Sequence, residues 1–153
     1  ADQRHAALGF AGREVDGAIR IEVVKHEAGT AWVVEACKNA QADTGQPIIV
    51  DPKSPTAGVL DDLKAAGVRT RELTPAETVT ACAAFQRESI EGGLKHLGAQ
   101  NLTDAVRLAD VRRVGEAWVF SERATATDIS PLLCVVYAAW AERTLVPAAF
   151  FVY

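Results

Sequence analysis

Two stretches near the start of the chain, His5 to Phe10 and Ala18 to His26 ("AIRIEVVKH"), alternate apolar with polar residues. A period of two puts one face of a strand on a core and the other in water, and the turn-rich "GREVDG" between them predicts a β-hairpin. The period then changes. From Thr30 to about Ala42, the residues Trp32, Val33, Ala36, Cys37 and Ala40 recur at helical spacing, with Thr30 placed to cap the first turn. In "PIIVDPKSP" the unbroken β-branched run Ile48, Ile49, Val50 predicts a strand buried on both faces, and Asp51 stands where it leaves the sheet.

Farther on, Pro55 to Ala66 reads as a helix stopped by Gly67, and "VRTREL" as a short strand. "TPAETVTACAAFQRESIEGG" opens with Thr74 as N-cap, Pro75 in the first turn and Glu77 completing a capping box, with Val79, Cys82 and Phe85 or Gln86 at helical spacing. "NLTDAVRLAD" is a short helix, and "RRVGEAWVF" a strand pair or one strand broken by glycine. In "TDISPLLCVVYAAWAERT", Ser130 can cap and Pro131 can start a closing apolar helix through about Arg143. A hairpin, then alternating helices and strands, then a helix describe an α/β domain whose mixed sheet is covered on both faces. With 153 residues and neither repeat nor linker, residues 1–153 form one domain.

Composition narrows the picture. A net charge of −4 and pI near 5.4 argue against holding nucleic acid by bulk electrostatics, so any DNA contact is local. No run approaches the roughly 20 apolar residues of a membrane span, and "ADQRHAAL" lacks the form of a secretory signal. The absence of methionine suggests a processed or trimmed chain. Cys37, Cys82 and Cys134 are odd in number and set in apolar helical segments, which suits packed reduced thiols and a cytoplasmic setting. His5, His26 and His96 stand alone in the sequence, so ligand spacing points to no zinc site. Trp32, Trp118 and Trp140 sit among apolar neighbours and read as core residues, and "RTRELTPAE" reads as a solvated surface. No Walker-type glycine loop occurs, so ATP hydrolysis is not expected.

Asp51 has two readings from its position. It can serve chemistry at the end of a buried strand, where α/β sheets gather ligands, or it can cap the turn at Pro52. Asp128, just ahead of the last helix, is open in the same way. Together, two carboxylates at element boundaries suit a hard divalent cation, which takes oxygen ligands. Such ions activate water and stabilise the leaving oxygen of a phosphodiester.

"PIIVDPKSPTAGVLDDLKAAGV", "GGLKHLGAQNLTDAV" and "TDISPLLCVVYAAWAER" resemble the C-terminal nuclease domain of the large terminase subunit of tailed double-stranded-DNA phages and prophages. The resemblance runs over nearly the whole chain, and its more specific parts are the Asp51 strand and the last segment. It implies an RNase H-like fold, a Mg²⁺- or Mn²⁺-dependent endonuclease that cuts concatemeric DNA during genome packaging, and a bacterial cytoplasm as its setting. It also implies, as partners, double-stranded DNA, a terminase ATPase domain, the small terminase subunit and the portal. Asp51 and Asp128 match the second and third acidic residues of the family. The first should end a strand ahead of "HAALGFAG", where only "ADQR" stands, so the first strand and its carboxylate look missing and Asp2 is the only nearby substitute. The missing strand predicts an open flank on the hairpin, through which the chain could dimerise. Lys53, Arg123 and His96 are candidate DNA contacts, though each reads more simply as an ordinary surface or packed residue. A catalytically silent assembly module with the same fold is the competing function. The Asp51 strand should lie inside the sheet, packed by the Thr74 and Ser130 helices, and Asp51 and Asp128 should converge in one cleft.

Overall fold

The computed structural model describes residues 5–53, 57–96, 102–103, 105–106, 109–122 and 128–153, with Ala57, Asp110, Val114, Ser121 and Glu122 described by backbone alone. Asp2 and Arg123 lie outside the described residues. The elements, in chain order, are β1 (His5–Arg13), β2 (Ile19–Ala28), α1 (Val33–Thr44), β3 (Ile48–Val50), a 3₁₀ turn (Ala57–Val59) leading into α2 (Leu60–Ala65), β4 (Thr70–Glu72), α3 (Pro75–Glu91), β5 (Leu94–Lys95), β6 (Ala109–Val114), β7 (Ala117–Glu122), α4 (Ser130–Thr144) and β8 (Ala149–Val152). Leu102, Thr103, Ala105 and Val106, inside "NLTDAVRLAD", are helical.

Six strands form one mixed sheet in the order β4-β3-β8-β1-β2-β5, and β6 and β7 form a separate antiparallel hairpin. β1 runs antiparallel to both β2 and β8, while β3 is parallel to β8 and β4. The hairpin and the interior placement of the Asp51 strand match the pattern of the sequence. The last strand does not: "AFFV" after the final helix is an interior strand, which the sequence reading left out. Among the described residues no strand precedes β1, yet its flank is not open, because β8 fills it. That corrects the expectation of an open flank on β1; on the hairpin's other side β5 pairs only with Ile19 and Arg20 of β2. The outer strands are β4 and β5.

Alternation along β1 and β3 splits the core in two. Ala7, Ala11, Ile49 and Phe151 face α4, α3 and the hairpin, whereas Ala6, Leu8, Ile48 and Val50 face α1 and α2. On the first face α4 lies close on the sheet: a Cβ added to Gly9 in β1 would stand 2.6 Å from the backbone carbonyl carbon and oxygen of Cys134. Only glycine permits that approach. α3 packs chiefly on α4 and β7, so of the two helices expected against β3 it is α4 that lies there.

Capping differs in two places. Thr74 caps α3 with the full box, accepting from Glu77 N while the Glu77 side chain accepts from Thr74 N. α1 begins instead at Trp32 without a side-chain cap, and Thr30 contributes only its carbonyl, to Val33 N. At α4 Ser130 is a buried helical residue and the N-cap position is Ile129, without a side-chain cap, while the carboxylate of Asp128 just ahead accepts from Ser130 N at 2.9 Å. The stretch "RTRELTPAE" is also not uniformly solvated, since Arg71 grips Glu77 through two nitrogens. The three cysteines are free and buried, as expected of packed thiols, and burial pushes Cys37 up to about 12. No helix among the described residues is long and apolar enough to cross a membrane.

Candidate active site

The strand register assembles one end of the sheet. Val50 pairs with Val152, so Asp51 follows at the level of Tyr153, and Tyr153 exchanges backbone hydrogen bonds with Ala7 (2.9 and 3.0 Å). Ala7 in turn pairs with His26, and His5 pairs with Ala28. Asp51, Tyr153, Ala7 and His26 thus form a row across β3, β8, β1 and β2, and at normal strand spacing Asp51 and His26 are about 14 Å apart along it. His26 lies opposite Ala7, whose side chain packs on the α4 side of the sheet, and His5 shares that face by alternation. The two imidazoles are therefore diagonal neighbours, with ring centroids 4.9 Å apart and planes tilted by 37°.

The start of α4 arrives over this end and brings Asp128. Its Oδ2 lies 2.7 Å from His26 Nε2 and 3.7 Å from His5 Nδ1, while Oδ1 is held by Ser130 N. Among the described residues, His5, His26 and Asp128 are the group whose ligand atoms close to within 4.8 Å of one another. Burial works against ionisation of Asp128, yet hydrogen bonds from Ser130 and His26 prevail and hold its carboxyl below the usual range. The trio can hold a proton between imidazole and carboxylate, or a cation.

Asp51 is half-buried, and its Oδ1 accepts from Lys53 N at 2.9 Å, closing the turn over Pro52. Both aspartates therefore use one oxygen to hold a local backbone amide, close to the plainer reading of each. That role leaves the second oxygen of each for other work. Asp51 is not in the histidine group, but both carboxylates act on α4. After burial, which is the main cause, Asp51 helps to raise the Tyr137 hydroxyl and Asp128 the Cys134 thiol, and those residues are one turn apart. Lys53 is exposed beside Asp51. His96 is not brought to this end. It lines an apolar groove with Ile21, Phe85 and Leu94, and Ile21 to His26 spans roughly 16 Å at strand rise.

The two histidines are the residues that sequence reasoning missed. It treated His5 and His26 as isolated because ligand spacing along a chain is a local signal, whereas strand pairing joins distant positions. A usable signal was present: the predicted hairpin places the first residue of one strand near the last of the other.

The structure is similar to the crystal structure of the large terminase nuclease from thermophilic phage G20c, with a TM-score of 0.67 and 15% sequence identity over 93% of this chain and 77% of that one. The chain has the fold of a phage terminase nuclease. At that identity the likeness is one of fold. No family model and no curated protein matches the sequence. Within this terminase-nuclease fold the chain sets Asp51 at the end of an interior strand, Asp128 at the start of α4, and two imidazoles beside the latter.

Proposed function

We propose that the chain is a DNA endonuclease domain that cuts concatemeric double-stranded DNA during phage genome packaging, with Asp51 and Asp128 as reactive carboxylates and Mg²⁺ or Mn²⁺ as cofactor. The observation that carries this reading is the terminase-nuclease fold with a carboxylate at the end of an interior strand and another at the start of the helix crossing the same end of the sheet. Their oxygens fit the donor preference of hard divalent cations. When bound, such an ion supplies Lewis-acid stabilisation of the leaving oxygen and lowers the pKa of water.

The chain's own residues do the rest. The Ser130 amide keeps Asp128 oriented and ionised, and the turn to Lys53 fixes the Asp51 carboxylate. The Lys53 ammonium, exposed next to Asp51, meets a phosphate of the scissile strand, and Arg123 is assigned a similar contact. His96 contacts DNA away from the cut, along β5. With a net charge of −4, the domain depends on a terminase ATPase domain, the small subunit and the portal to hold DNA against it.

One observation favours a second reading, a silent assembly module: among the described residues, the row of Asp51, Tyr153, Ala7 and His26 across the sheet carries a single carboxylate side chain. Nicking of supercoiled plasmid decides between them. Mn²⁺-dependent nicking by the wild type that is abolished in Asp51→Asn and Asp128→Asn supports the nuclease. A folded wild type inert with Mg²⁺ and Mn²⁺ supports the module.

A further inference from the structure

We propose that His5, His26 and Asp128 form a transition-metal site of two imidazoles and one carboxylate, which takes a borderline ion such as Zn²⁺ or Co²⁺ in preference to Mg²⁺. The inference deepens the nuclease reading and rests on it for the use to which the ion is put.

Three features carry it. Three ligand-type side chains from three separate elements converge on one point, with donor separations from 2.7 Å to at most 4.8 Å. Bonds of about 2.1 Å in a tetrahedral arrangement would set donors roughly 3.4 Å apart, inside that interval, so small side-chain rotations suffice. A simple hydrogen bond accounts for His26 and Asp128 but not for His5, whose Nδ1 faces the same Oδ2 at 3.7 Å, outside hydrogen-bond range. A cation in place of the shared proton would engage all three.

The surroundings favour a site. Ser130 N holds Oδ1 of Asp128, so Oδ2 is aimed at the imidazoles, the kind of support that orients a metal ligand. Access is graded, with the His26 side chain 18% exposed, Asp128 33% and His5 46%. One side is therefore open to solvent or to a phosphate oxygen, leaving coordination positions vacant. The donor chemistry sets the selectivity: Mg²⁺ demands oxygen ligands in octahedral array and dehydrates reluctantly, whereas imidazole suits later first-row ions.

Titration of the full 153-residue chain with Co²⁺, followed by its visible absorption and by calorimetry, tests the assignment. One Co²⁺ per chain is expected, displaced by Zn²⁺ but not by about a hundredfold excess of Mg²⁺. His5→Ala and His26→Ala should each weaken Co²⁺ affinity at least about tenfold. Asp16→Asn, in the turn at the opposite end of the β1–β2 hairpin, should leave it unchanged, and circular dichroism confirms that the variants fold. Absence of Co²⁺ binding, equal displacement by Mg²⁺, or wild-type affinity in His5→Ala overturns the proposal. Plasmid nicking separates the two readings. Tight Co²⁺ binding without nicking by any ion sinks the nuclease alone, and Mg²⁺-dependent nicking that survives His5→Ala without Co²⁺ binding sinks the imidazole site alone.

Discussion

α4 and α1 cover opposite faces of the same sheet and are buried to different degrees. Every residue of α4 from Ser130 to Glu142 is buried, because the helix lies between the sheet on one side and α3 on the other. α1 buries only Val33, Cys37 and Ala40 and leaves the rest of its surface toward solvent. A helix enclosed all round is held from several directions, and one that covers a sheet by a single stripe is held from one. The candidate chemistry sits at the start of the enclosed helix. Its position follows from packing of the whole α4 face, so Asp128 is placed by long-range contacts as much as by its neighbours in sequence.

The sharpest way to break this contrast is to hollow out each face. Phe151→Ala, a fully buried ring packed against Tyr137 of α4, should cost about 3–5 kcal/mol in urea unfolding. Val34→Ala on α1, half-buried at the margin of the other core, should cost less than about 1 kcal/mol. Equal costs would remove the distinction between the faces.

Gly9→Ala comes next and sharpens it. The added methyl meets Cys134 backbone and pushes α4 off the sheet, with an expected cost of about 1–3 kcal/mol. The same displacement moves Asp128 relative to β1 and β2, so Co²⁺ affinity should fall along with stability. Retention of both would show that α4 is held less firmly than its burial indicates.

Smaller effects belong to α3, which braces α4 from outside. Thr74→Ala removes half the capping box and should cost about 1 kcal/mol, read as a lower thermal midpoint with no change in metal affinity. The Arg71 guanidinium beside Glu77, helped by the Thr74 amide, holds the Glu77 carboxyl down at about 2, from 4.5. A depressed carboxylate pKa means that the contribution is present above pH 4.5 and fades as pH falls from 4.5 towards 2. Because the pair is partly exposed, its worth is at most about 1 kcal/mol. Arg71→Ala should lower stability slightly at neutral pH and flatten the acid limb of stability against pH. An acid limb identical to the wild type would remove the pair from the account.

Local order was legible where one residue type has one physical reason to be where it is. The alternation of His5 to Phe10 and Ala18 to His26 was enough for the hairpin, the Thr74, Pro75 and Glu77 triplet for the start of α3, and Ile48 to Val50 for a buried strand. The cap of α4 was misread, since Ser130 lies inside the helix, buried, and it is Asp128 whose carboxylate accepts from the Ser130 amide. Strand β8 was missed because "AFFV" is short, and its status as an interior strand depends on partners far away in sequence.

By itself the sequence determined the α/β class, the hairpin, the interior β3 and the positions of Asp51 and Asp128 at element ends. These follow from periodicity and capping, which act over a few residues. Only the tertiary structure decided that β8 fills the flank of β1, that His96 lies away from the aspartates, and that His5 and His26 meet Asp128. Those facts depend on which strands pair and in what register. Pairing is settled by burying two faces of one sheet at once, a condition that no local stretch of the chain expresses.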